Sequence, residues 1–241
     1  MAQTVLNILK QRYTTKNWTD QLVSNTDLKT ILDSAHLSPS KMSMATHKIV
    51  ALTHSEPAQQ IKDWLFWQHT WSQDGYPSYA MPENYQPTKP KDFQGQYRAP
   101  VVLFWISRLI PSERRMMPRT ESDPHMVHTP DQYGQAADLF ISSTCAMMAA
   151  QQLGLNTGYG VCHDPATVAR RLGFEGYYAM VALGVGYAQD TSALVNEQLR
   201  VPVMDAEGRA VGFCGANIPA TGSDHWDRFN RPTYEQMVTV I

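Results

Sequence analysis

The sequence predicts one α+β domain, with helices and strands interleaved around a small sheet. Three observations carry that expectation. Three apolar runs have the length and character of strands: 48–53 (KIVALT), 99–107 (APVVLFWIS) and 177–187 (YYAMVALGVGY). Short runs of this kind, bounded by proline or glycine, suit buried strands. Segments of helical period alternate with them, so the order reads α, α, β, α, β, α, α, β. The third observation is the stretch from Gln132 to Gly154, apolar or small nearly all round. Ala137, Phe140, Ile141, Thr144 and Met148 recur at helical spacing, and Ala146, Met147, Ala149 and Ala150 fill the other sides. A helix with so little polar face belongs in a core or against a partner subunit.

In chain order, residues 3–11 form a short helix with Val5, Leu6, Ile8 and Leu9 on its apolar side. The second helix is capped by Ser24 or Asn25, and its inner face carries Leu28, Ile31, Leu32, Ala35 and His36. It stops before Ser38-Pro39-Ser40, because proline disfavours helical backbone in the residue before it. Residues 58–71 read as a helix bearing Ile61, Trp64, Leu65 and Trp67. Residues 72–98 are rich in tyrosine and proline and read as a long loop, which in a compact domain is usually functional or mobile. A second polar excursion spans 108–130. The small-residue helix stops at Gly154 and leads into Gly158-Tyr159-Gly160, which reads as a glycine-rich turn able to approach a ligand closely. Asp164 and Pro165 are a good N-cap and first-turn residue for a helix with Val168, Ala169, Leu172 and Phe174 on its face. The tail, 190–241, reads as irregular with a short terminal helix.

Composition excludes several classes. The net charge of −2 gives no basic footprint for nucleic acid. Three cysteines, Cys145, Cys162 and Cys214, are an odd number set far apart, so no disulfide framework is expected and a reducing cytoplasm is the natural setting. The eight histidines show no metal-type spacing. No apolar run reaches the roughly 20 residues of a membrane span, and no signal peptide is evident in MAQTVLNILKQRYTTK. Gly184-x-Gly186 after a strand lacks the third glycine and the following helix of a dinucleotide fingerprint.

Several motifs nonetheless stand in a recognisable order. Arg12-Tyr13-Thr14-Thr15-Lys16-Asn17-Trp18 follows the first helix, and Ser38-Pro39-Ser40-Lys41-Met42-Ser43 follows the second. Ala99-Pro100-Val101-Val102 opens a strand, and Leu153-Gly154-Leu155 closes the long helix. Asp164, Val168, Leu172 and Gly173 mark the next helix, Ala182-Leu183-Gly184 the last strand, and Arg228-Phe229-Asn230-Arg231-Pro232 the tail. This series resembles the FMN-dependent nitroreductase family over nearly the whole chain.

The resemblance implies a nitroreductase-like fold: a central mixed or antiparallel sheet flanked by helices, in an intertwined homodimer. It implies one FMN-binding domain over 1–241, an insertion at about 58–98 that shapes the pocket, and a C-terminal arm at about 190–241. The implied cofactor is FMN. Arg12 matches a phosphate-binding arginine, which can hold phosphate bidentately. Tyr13 and Thr14 lie in the same motif, and the Thr14 hydroxyl can donate to the phosphate or the flavin edge. Lys16 matches a cation beside the flavin N1/O2 edge, where it would stabilise charge developing on hydride transfer; it is the catalytic candidate. Pro39, Ser40, Lys41 and Ser43 match residues that reach the flavin from the other subunit. Tyr159, Gly160, Val161 and Cys162 match the loop that presents backbone N–H groups to N5 and O4. Arg228 and Arg231 match the family's basic pair at the phosphate.

The implied reaction is a ping-pong transfer of hydride from NAD(P)H to an electron-poor acceptor of nitroaromatic or quinone type. Two departures keep alternatives open. Ser43-Met44-Ala45-Thr46-His47 replaces the family's N-x-Q-P-W corner, and Asn230 stands where a second arginine is common. A specialised flavin-dependent dehydrogenase or oxidase, or a non-catalytic flavin-binding protein, fits those departures too.

Overall fold

The structure is a computed structural model that describes residues 4–40, 47–68, 70–72, 91–107, 130–160, 162, 164–190, 200–215 and 217–219. In chain order the elements are α1 (Val5–Gln11), β1 (Tyr13–Thr14), α2 (Asn25–His36), β2 (His47–Leu52), α3 (Glu56–Gln68), β3 (Thr70–Ser72) and β4 (Lys91–Phe93). After a 3-10 turn at Gly95–Arg98 come β5 (Val101–Ser107), α4 (Pro130–Gln152), β6 (Asn156–Gly160), α5 (Pro165–Arg171), β7 (Tyr178–Gly186), β8 (Arg200–Met204), β9 (Ala210–Gly215) and β10 (Ile218–Pro219).

The central sheet has six strands in the order β10-β1-β6-β7-β5-β2. It is mixed: β1 and β6 run parallel, and the other pairs are antiparallel. Strand alternation divides the core into two layers. Val101, Leu103 and Trp105 of β5 join Val181, Leu183 and Val185 of β7 on the face covered by α2 and α4. Val102, Phe104 and Ile106 face the opposite way, toward α3, α5 and the 3-10 turn. Both faces are covered, which is why these strands read as continuous apolar runs.

Local signals placed most helix ends correctly. The Ser24 hydroxyl accepts from the Asp27 N–H at 3.0 Å, and the Asp164 carboxylate accepts from the Thr167 N–H at 3.1 Å. Gly154 ends α4 at φ 79°, a conformation that costs glycine nothing.

Three expectations need correction, and the side that α4 turns to the core is decided. The helical stripe Ala137, Phe140, Ile141 and Thr144 is not the core side of α4. The core side carries Leu139, Ser142, Ala146, Met147 and Ala150, while Phe140 is 54% and Ile141 41% exposed. With small or apolar residues all round, periodicity could not choose between the two faces. Likewise only Ile8 of α1 is buried, and His36 of α2 is exposed. The helix expected over 58–71 spans Glu56–Gln68 and is followed by a strand.

The 72–98 stretch and the tail also contain more structure than their composition suggested. Strands β3, β4, β9 and β8, in that order, form a second four-stranded sheet drawn from the insertion and the tail together. Phe93 and Tyr97, expected in a loop, are buried in the core. Phe93 stacks on Phe66 with ring centroids 5.0 Å apart, and the Arg98 guanidinium lies 3.7 Å from the centroid of Phe66. Lys62 of α3, 3% exposed, donates to the carbonyls of Ala99 and Pro100, both at 3.1 Å. Burial lowers its pKa, opposed by the charge of Asp63. These bonds anchor α3 to the entry of β5.

A buried relay ties the two principal helices to the sheet. Trp105 Nε1 donates to Ser142 Oγ at 2.8 Å, and Ser142 Oγ donates to the Ala35 carbonyl at 2.8 Å. Removing the shared hydroxyl orphans the buried Trp105 N–H, while the Ala35 carbonyl keeps the Ser38 N–H at 3.4 Å; one buried orphan costs about 1–3 kcal/mol. Ser142→Ala should therefore lower stability by about 1–3 kcal/mol in urea titration. A loss under about 0.5 kcal/mol would show that the relay contributes nothing.

Candidate active site

The Arg12–Asn17 segment sits where three parts of the chain meet. Arg12 takes extended backbone (φ −66°, ψ 150°) and ends α1. Tyr13 and Thr14 then pair with Pro219 and Ile218 on one side, while Thr14 pairs with Thr157 on the other. The Thr15 N–H donates to the Thr157 carbonyl at 3.0 Å. Extended backbone turns alternate side chains to opposite sides. Thr15 and Asn17 are buried, whereas Arg12, Thr14 and Lys16 are only partly covered. A guanidinium, a hydroxyl and an ammonium thus recur on one side of the segment. Tyr13 belongs to the other side and is 43% exposed, so its side chain does not join that stripe.

The expected glycine turn is a strand. Asn156–Gly160 is β6, paired along its length with Gly186–Ala182 of β7. Gly158 serves close packing. A Cβ at Gly158 would be driven into the Thr15 carbonyl and against Gln96, and a Cβ at Gly95 into the Lys16 carbonyl. The 3-10 turn therefore presses onto the β1–β6 seam, aided by Trp18 Nε1, which donates to the Gly95 carbonyl at 3.0 Å. Gln94 and Gln96 are brought over Gly160 by this packing. Neither glutamine stood out in the sequence, because nothing local marks a polar residue in a loop as buried. Thr15 Oγ1 and Gln96 Oε1 are buried with no hydrogen-bond partner among the described residues.

Tyr159 and Cys162 part company. Tyr159 points to the α4 side and its hydroxyl donates to Ser143 Oγ at 3.2 Å. Cys162 packs on the opposite core and accepts from the Tyr97 hydroxyl, 3.8 Å from its sulfur. Burial pushes the thiol up to about 12, partly offset by the Tyr97 hydrogen bond. Burial also raises Tyr97 well above its ordinary value, reinforced by Cys162. Cys162 is thus a neutral thiol at pH 7 rather than a nucleophile.

The linkage sign follows. With the folded pKa raised from 9.0 to about 12, this contribution to stability is complete below pH 9. It is lost as pH rises through the folded value, at up to about 1.4 kcal/mol per pH unit. Urea titrations at pH 8 and pH 10.5 should show that loss, and Cys162→Ala should make it shallower. Equal pH slopes in both proteins would refute the assignment.

The remaining candidates are spread out. Pro39 and Ser40 follow α2, which packs on α4. Gly160 closes β6. Lys41, Ser43, Val161, Arg228 and Arg231 lie outside the described residues. His47, the first residue of β2, sits opposite Ser107 in register. Burial lowers its pKa, opposed by the charge of Asp138. Among the described residues no group of histidine, cysteine and carboxylate side chains could hold a metal ion, and no helix is long and apolar enough to cross a membrane.

A mixed sheet between two helical layers defines an α+β protein, with Arg12, Thr14 and Lys16 partly covered along the segment that contains its short strand β1. The chain belongs to the nitroreductase family, whose model matches residues 9–187. The solved structures agree in fold. NfrA2 of B. megaterium superposes with a TM-score of 0.53 at 21% identity, covering 78% of this chain and 68% of that one. A nitroreductase family protein of Clostridium difficile 630 gives 0.57 at 14% identity, covering 98% and 97%. An FMN-dependent nitroreductase of Clostridium difficile R20291 gives 0.51 at 15% identity, covering 81% and 98%. Comparison with curated proteins gives no match. Family membership supports an oxidoreductase.

Proposed function

We propose that this protein binds FMN along the Arg12–Lys16 segment and acts as an NAD(P)H-dependent oxidoreductase on electron-poor rings of nitroaromatic or quinone type. The observation that carries this reading is the stripe of Arg12, Thr14 and Lys16 on one side of the segment, with Thr15 and Asn17 turned inward. That donor set suits FMN, which pairs a dianionic phosphate with a polar pyrimidine edge. Arg12 supplies a fork of N–H donors and Thr14 a hydroxyl for the phosphate. Lys16 supplies a cation for the N1/O2 edge, where it favours the charge that develops on reduction. Bound FMN would supply hydride acceptance and release at N5, in a ping-pong exchange between NAD(P)H and the acceptor. No side chain need act as a general acid. Lys41, Ser43, Val161, Arg228 and Arg231 complete the proposed set, with Pro39, Ser40 and the backbone of Tyr159, Gly160 and Cys162.

The active form in this reading is a cytoplasmic homodimer. Val5, Leu6 and Leu9 of α1 and Phe140 and Ile141 of α4 are 38–59% exposed, on two helices that pack together. Apolar side chains concentrated in this way favour burial against a second copy.

Purified protein tests the reading directly. It should be yellow, absorbing near ~450 nm, and NADH or NADPH should bleach it without oxygen. A colourless protein that takes up no added FMN would refute the cofactor. A yellow protein bleached by neither nicotinamide would favour a dehydrogenase, an oxidase or a flavin-binding protein instead, readings that the Ser43–His47 departure also favours.

A further inference from the structure

Lys16 is held from three directions by residues distant in sequence. Asn217 Oδ1 accepts the N–H groups of Lys16 at 2.8 Å and Asn17 at 3.0 Å. Asn217 Nδ2 donates to the carbonyls of Gln189 at 2.7 Å and Asn17 at 3.4 Å. Both acceptor positions and both donor positions of the carboxamide are thereby used, which also fixes its orientation. Asn17 returns the contact through Nδ2, which donates to the Gly215 carbonyl at 2.7 Å. The third direction is the side chain itself. A Cβ at Gly215 would lie 2.6 Å from Lys16 Nζ, 3.0 Å from Cδ and 3.4 Å from Cε. The lysine stem and ammonium therefore run across the bare Cα of Gly215.

We propose that Asn217 and Gly215 are positioning residues for Lys16. Asn217 fixes its backbone, and Gly215 leaves the lane in which its ammonium reaches the flavin edge. Both lie beyond the 9–187 region that matches the family. The C-terminal extension thus sets the placement of a residue in the early motif. The inference rests on the reading of Lys16 as the cation beside FMN.

The test uses the FMN-loaded protein and measures the midpoint potential of the bound flavin, which reports the ratio of affinities for reduced and oxidised FMN. Lys16→Met should lower that ratio about tenfold, as expected for loss of a hydrogen bond to a charged group. This equals about 30 mV for a two-electron couple. Gly215→Ala should give a change of similar size, because its methyl displaces the ammonium while leaving the Asn217 bonds intact. Adding Gly215→Ala to Lys16→Met should change the ratio no further. Asn217→Asp keeps both acceptor positions and loses both donors; it serves as the second variant should Gly215→Ala fail to fold, with a lowered ratio expected. A purely structural role would lower Tm in both backgrounds and leave the ratio untouched, which overturns the proposal. An unchanged ratio in Lys16→Met alone refutes the Lys16 reading, and the proposal with it. A normal Lys16→Met effect with no change in Gly215→Ala or Asn217→Asp overturns the positioning roles only.

Discussion

Gly158→Ala should be among the most damaging single-methyl additions in the described core. A Cβ there meets the Thr15 carbonyl, backbone rather than a flexible side chain, with Gln96 close behind. β6 cannot move away, because its other edge is paired with β7 from Asn156 to Gly160. The methyl must therefore push β1 off the sheet. Overpacking of a rigid site costs about 1–3 kcal/mol, and this site should fall at the upper end or beyond. Gly160→Ala is the control. A Cβ there finds Ala182, Gln94 and Gln96 at 3.5–3.6 Å, ordinary contact distance. It should cost under about 1 kcal/mol, the glycine's own weakness in a strand being relieved. Urea denaturation of the two variants decides the matter. Equal midpoints would show that the β1–β6 seam is looser than described.

Arg12→Ala should weaken FMN binding about 10- to 100-fold, the range for losing charge-assisted hydrogen bonds to phosphate. Fluorescence titration of apoprotein with FMN measures it. Riboflavin, which lacks the phosphate, should bind wild type and variant alike. That comparison separates a phosphate contact from general damage: a variant weakened equally for both ligands has lost its fold near β1, and one with unchanged FMN affinity removes Arg12 from the site. Arg12→Lys should restore part of the affinity, since an ammonium keeps the charge but not the bidentate geometry.

Much of the architecture was legible from periodicity. The three apolar runs became β2, β5 and β7, and the caps at Ser24, Asp164 and Gly154 fell where side-chain chemistry and backbone freedom require. Local preference dominates in these segments, so a short window of sequence suffices. The order of motifs likewise led to the family. Where signals conflicted, the sequence was misleading. Gly158-Tyr159-Gly160 reads as a glycine-rich turn, yet it is the end of the central strand Asn156–Gly160, where neighbours approach too closely to tolerate a side chain at Gly158. Phe140 and Ile141 of α4 lie outward, a choice between core and partner face that the sequence left open because α4 offers small or apolar residues on every side.

What the sequence by itself determined is the set of elements and the motif Arg12-x-Thr14-x-Lys16, both written in residues close along the chain. What only the tertiary structure decided is how distant pieces join. The insertion and the tail share a four-stranded sheet, and Asn217 holds the backbone of Lys16 from 201 positions away. Pairings of that kind carry no local pattern. Their stability comes from satisfying buried donors and acceptors that become neighbours only after the chain has closed on itself.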